Sequence, residues 1–173
     1  MNVIDDETAN VKSDGSNVVQ TMKGDKIFPL NNYNDHPEGF DDMVEIENLS
    51  EAELLYNVQM RFGLKQIYTY VGPTLIVINP FMRIEKLLSN EMLDRFQSAV
   101  MENRFESKDH IPHVYAIAAA TMTRMFEEKK NQAVVISGES GAGKTENTKH
   151  AMKFLTSLGS ISYPQLHVLI SLL

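Results

Sequence analysis

Lys144 and Thr145 stand side by side at the end of an octet, G-E-S-G-A-G-K-T, that runs from residue 138 to 145. Its spelling is G-x-x-x-x-G-K-[ST], a turn whose successive backbone N–H groups converge on phosphate oxygens. Glycines at 138, 141 and 143 permit the close approach, because a residue without Cβ takes positive φ at no steric cost. Read this way, Gly138, Glu139, Ser140, Gly141, Ala142 and Gly143 cradle a nucleotide's phosphates mainly through the backbone. Lys144 then reaches the β and γ phosphates as a point charge, and the Thr145 hydroxyl is the candidate ligand of a bridging Mg²⁺. Lys144 and Thr145 are accordingly the candidate catalytic pair. Ser140 has no base placed beside it by the sequence, so phosphate binding accounts for it better than nucleophilic attack does.

Such a loop works only between a strand and a helix. Ala133 to Ser137 is a short β-branched run of the kind buried in a parallel sheet. After the octet, Ala151, Leu155 and Leu158 share one helical face with Met152 beside them, and Lys149 and Lys153 fall elsewhere. Strand, loop and helix come in the required order, and the N-terminus of the helix adds partial positive charge. The competing reading is a glycine-rich surface turn. The fold class expected is α/β, a P-loop NTPase-type partial mixed sheet flanked by helices.

Earlier in the chain, Ser50 and Glu53 form a capping-box pattern with Leu49 and Leu54 spaced as a hydrophobic staple. Leu55, Val58 and Phe62 are the expected apolar stripe of that helix. I-Y-T-Y-V-G-P-T-L-I-V-I-N-P-F predicts two strands reversing at Gly72 and Pro73. Ser89 opens a helix carrying Met92, Leu93, Phe96 and Val100, and Pro112 precedes an alanine-rich helix apolar enough to be largely buried. His110 and His113 have no cysteine or carboxylate cluster to complete a metal site, so a structural or solvent-facing role is expected. The charged run Glu127 to Lys130 reads as a solvated helix end.

At 173 residues and 43% hydrophobic, the chain supports one core. It has no cysteine, hence no disulfide framework and no thiol nucleophile. An acidic N-terminus is unlike a signal peptide, and no apolar run approaches a membrane span, so a soluble intracellular protein is expected. The net charge of −7 is uneven: residues 1–53 carry 13 acids against 3 bases, and the remainder is mildly basic. No Lys/Arg stripe stands out, which argues against nucleic acid as a main partner.

The run D-D-M-V-E-I-E-N-L-S-E-A-E-L-L-Y-N-V, then I-Y-T-Y-V-G-P-T-L-I-V-I-N-P, P-H-V-Y-A-I-A and V-V-I-S-G-E-S-G-A-G-K-T-E-N-T-K resembles the myosin motor head, in that family's order and near its spacing. The resemblance covers residues 41–158 and implies ATP with Mg²⁺ as ligand, actin filaments as track and a cytoplasmic, cytoskeletal location. It also implies that Asn79, Pro80 and Phe81 lie near the purine, with Arg83 at a basic position of the same stretch. Two departures stand out: Met82 replaces a frequent lysine, and Leu87 a usual tyrosine. Loss of that ring predicts relaxed base preference. A strand end stopped by proline is the alternative account of N-P-F.

On this reading residues 1–26 are a disordered polar leader, 27–40 an extended linker, 41–158 the N-terminal part of a motor domain and 159–173 a divergent apolar tail. The final V-L-I-S-L-L suggests a truncated or mis-spliced product, or a fragment. Neither an N-x-x-S-S-R nor a D-x-x-G-F-E stretch, the family's switch segments, occurs in these residues. The function implied is the ATP-binding part of an actin-based motor. The alternative is a nucleotide-binding module that does not hydrolyse, or a motor-inactive product. Light chains are expected only where a further C-terminal region carries their sites.

Overall fold

The computed structural model describes residues 33–102, 105 and 111–158 with their side chains, and 2–3, 8–12, 19–23 and 168–172 by backbone alone. In chain order the elements are β1 (Asn2–Val3), β2 (Thr8–Lys12), β3 (Val19–Lys23), α1 (Glu51–Gly63), β4 (Tyr68–Val71), β5 (Thr74–Val77), α2 (Asn90–Met101), α3 (Val114–Glu128), β6 (Gln132–Ile136), α4 (Lys144–Ser157) and β7 (Val168–Leu172). The class is α/β. Its described strands form three separate sheets: β1-β2-β3 antiparallel, the β4-β5 hairpin, and β6 with β7 in parallel. Strands β1, β2 and β3 lie within residues 1–26, expected as a disordered leader, and β7 lies within 159–173, expected as a divergent apolar tail.

The main core lies where α3 packs against α2, α4 and β6. Small residues let this happen. Ala116, Ala118 and Ala119 on α3 are fully covered, so neighbouring backbones approach closely, and Phe96, Tyr115 and Phe154 fill the remaining space. Tyr115 and Phe154 stack with centroids 5.7 Å apart, tying α3 to α4. The buried face of α4 is therefore Ala151, Phe154 and Leu158, with Leu155 half-buried and Met152 exposed. Phe154 belongs in the stripe and Met152 does not.

The tight reversal at Gly72 and Pro73 is present: Val71 pairs with Thr74, and Gly72 takes φ 55°. Asp42 locks it, since its Oδ1 accepts from Gly72 N (2.9 Å) and from Val44 N (3.1 Å). Ser89 caps α2 by accepting from Met92 N, and Leu93, Phe96, Ala99 and Val100 are buried below. The run Glu127 to Lys130 is exposed at the end of α3.

Two helical or strand faces differ from expectation. On α1, Ser50 does cap Glu53 N, yet Leu55 is 67% and Phe62 41% exposed, while Glu53, Asn57 and Arg61 are buried. This polar stripe has partners. Glu53 accepts from the Tyr33 hydroxyl (2.9 Å), and Asn57 bonds both the N–H and the C=O of Phe40 (2.7 and 3.1 Å). Arg61 donates to Thr69 Oγ1 and Tyr68 O (both 3.0 Å) and pairs with Asp41 (2.7 Å). Periodicity separates the faces of a helix, but satisfied hydrogen bonds let the polar one turn inward. On β6, burial alternates and Val135 is exposed, because one face of the strand is uncovered. The edges of β5 and β6 flank a groove of about 610 Å³ floored by α3.

Candidate functional site

The octet connects β6 to α4 with the geometry its glycines predict. Gly138, Gly141 and Gly143 adopt φ of 148°, 79° and 97°, all in the region that side chains avoid. A Cβ on Gly138 would meet Ala142 Cβ at 3.3 Å, so the loop is also tightly folded there. Gly143 is the N-cap of α4 and supplies no side-chain acceptor. The leading N–H groups of α4 therefore keep their capacity for an anion.

Lys144 is the first residue of α4, and its Nζ donates to Gly138 O (2.6 Å) and Glu139 O (3.2 Å). The ammonium arches over the loop and is held at its mouth. Thr145 follows at the exposed start of the helix, and Glu139, Ser140 and Gly141 are exposed as well. Among the described residues no group of three or more His, Cys, Asp or Glu gathers as a metal cage. One exposed threonine hydroxyl beside the glycine-rich loop is a donor set that suits Mg²⁺, which retains several waters and takes few protein ligands.

Beside the loop opens a cleft of about 970 Å³. The stretch after β5 forms one wall through Asn79, Pro80, Met82 and Arg83, and α4 forms the other through Asn147 and His150. Asn79 reaches the loop itself: its Nδ2 donates to Gly141 O (2.7 Å) while its Oδ1 accepts from Phe81 N (2.9 Å). Phe81 sits at φ 50° and is 86% exposed. Asn79, Pro80 and Arg83 thus come together with Ala142 and Gly143 around one cavity, and Phe81 stands apart from its lining. Leu87 lines the same cleft, where a tyrosine ring would have to fit.

Electrostatics near the cleft are set by burial. Burial pushes the His113 imidazole down to about 4, and the hydrogen bond to Leu87 O opposes that only in part. His113 Nδ1 accepts from Tyr115 N (2.9 Å), so its Nε2 carries the proton and donates to Leu87 O (2.8 Å). The histidine is structural: it caps α3 and steadies the cleft wall. His110 lies outside the described residues. Burial also depresses His150 and raises the Tyr68 hydroxyl. On the exposed face of α4, the ion pair with Lys149 keeps the Glu146 carboxyl low.

Sequence reasoning passed over Tyr68, Asn147 and His150. A signal existed for the last two, since 147 and 150 are three apart on the helix that the loop opens. Tyr68 had none, because its neighbour on α4 is 79 positions away.

The family model for the myosin head (motor domain) matches residues 40–168. Myosin-2 of Arabidopsis thaliana is 40% identical over 153 residues, 88% of this chain and 12% of that protein. Myosin-4 of the same plant is 41% identical over 145 residues, 84% of this chain and 12% of that protein. The myosin-M heavy chain of Dictyostelium discoideum is 43% identical over 127 residues, 73% of this chain and 7% of that protein. The chain therefore spans about a tenth of the length of the curated relatives it matches.

Proposed function

This chain belongs to the myosin head (motor domain) family, and from that premise we propose that residues 41–158 are the ATP-binding part of an actin-based cytoskeletal motor. The observation carrying the proposal is the strand, loop and helix at 132–157, with three positive-φ glycines, an uncapped helix start and Lys144 held over the mouth. It supports reading the segment as that of a P-loop NTPase, in which backbone N–H groups and a lysine neutralise phosphate charge. ATP is the nucleotide proposed, with its phosphates on Gly138 to Lys144 and its base in the cleft walled by Asn79, Pro80 and Arg83.

On binding, Lys144 Nζ exchanges the carbonyls of Gly138 and Glu139 for phosphate oxygens, so the loop is already shaped when the nucleotide arrives. The Thr145 hydroxyl would hold Mg²⁺, which would supply neutralisation of phosphate charge. Lys144 and Thr145 serve hydrolysis by positioning and electrostatics. Orientation of the attacking water requires the switch segments, which these 173 residues do not contain. Movement on actin filaments, and a cytoplasmic site of action on the cytoskeleton, are proposed for the intact motor. Among the described residues no helix is long and apolar enough to cross a membrane.

Titration with a fluorescent ATP analogue tests the assignment. Lys144→Ala removes a charge-assisted contact and is expected to weaken binding about 10- to 100-fold. Equal affinities for the two proteins would take the loop out of the nucleotide site.

A further inference from the structure

We propose that Tyr68 and Asn147 are positioning residues for the phosphate loop: the Tyr68 hydroxyl fixes the Asn147 amide, which in turn fixes the Gly143 carbonyl where the loop becomes helix. The inference rests on the nucleotide reading above and concerns what holds that site in shape.

Asn147 Nδ2 donates to Gly143 O (3.0 Å), reinforcing the helical bond that Asn147 N makes to the same oxygen (3.0 Å), and the Tyr68 hydroxyl lies 3.2 Å from Asn147 Oδ1. With the amide nitrogen engaged by a carbonyl, the amide oxygen faces the tyrosine, and the hydroxyl must be the donor. Each bond thus determines the orientation of the next. In a trans peptide the C=O and the following N–H point in opposite directions, so fixing Gly143 O fixes the direction of Lys144 N–H. That N–H is one of the free leading donors of α4.

The anchor at the far end is rigid. Tyr68 is 3% exposed, its ring meets His113 edge to face at 5.1 Å, and Arg61 holds its carbonyl at 3.0 Å. The hydroxyl's ordinary value already lies far above neutrality and burial raises it further, so it stays a donor. Asn79 provides a second link from the hairpin side, through Gly141 O at 2.7 Å. The loop's glycines need such restraint, since they lose more conformational freedom on ordering than any other residue. A loop held before the ligand arrives loses less entropy on binding.

The test uses the 173-residue chain and displacement of a fluorescent ATP analogue by Mg·ATP, by Mg·tripolyphosphate and by adenosine. Tyr68→Phe keeps the ring and removes one hydroxyl. It is expected to weaken both phosphate ligands by the same factor, about two- to tenfold, and to leave adenosine unchanged. Asn147→Ala, which introduces a better helix former, is expected to weaken the phosphate ligands at least as much, and the double variant no further than Asn147→Ala alone, because the two residues act in series. A merely structural tyrosine would lower the urea midpoint and shift all three ligands together. Tyr68→Phe affinities equal to those of the unmodified chain, or losses confined to ATP with tripolyphosphate unaffected, would overturn the inference while the nucleotide site stood. An unmodified chain that displaces the analogue with neither phosphate ligand would overturn the nucleotide reading and this inference with it.

Discussion

Lowering the pH from 7 to 4 is expected to destabilise the chain through His113, whose neutral form the structure favours. The imidazole is fully buried, accepts the N-cap hydrogen bond from Tyr115 N and donates to Leu87 O, so both nitrogens are engaged in the neutral form. Its folded value is about 4 against an ordinary 6.5. Between those values the unfolded chain binds a proton that the folded chain refuses, so unfolding takes up a proton and acid favours it. The stabilisation is complete above pH 6.5, falls steadily below it and is exhausted near pH 4. A span of about two and a half units at 1.36 kcal/mol each gives about 3 kcal/mol. Urea unfolding at half-unit pH steps measures it, with His113→Asn as reference, because asparagine caps a helix well and does not titrate. The variant should be less stable at pH 7, having lost the ring packed on Phe96 and Tyr68, but its stability should fall less steeply between pH 6.5 and 4. Parallel curves for the two proteins would refute the assignment of the buried neutral tautomer.

Leu87→Tyr should raise the preference for ATP over GTP about two- to tenfold by returning an aromatic contact to the cleft wall, as competition between the two nucleotides would show. An unchanged ratio would remove this stretch from the base site. Gly39→Ala should destabilise the chain by about 1–3 kcal/mol in urea, since Gly39 sits at φ 79° and a Cβ there would lie 2.7 Å from Asn57 Oδ1. The same substitution at Gly63, where a Cβ meets nothing within 4 Å, is the control expected to cost far less.

Local chemistry determined the parts of this protein that the sequence discloses. The octet at 138–145, the caps at Ser50 and Ser89 and the reversal at Gly72 and Pro73 each depend on residues within a few positions of one another, so spelling and spacing suffice. Tertiary structure decided which faces turn inward and what touches the loop. The stripe of Glu53, Asn57 and Arg61 is buried because Phe40, Tyr33 and Tyr68 offer hydrogen bonds from other segments, and no helical period carries that information. The pairing of β6 with β7 joins residues 36 apart. Asn79 on Gly141 and Tyr68 on Asn147 join residues 62 and 79 apart, so these hydrogen bonds to the glycine-rich loop and to α4 exist only once distant segments have come together.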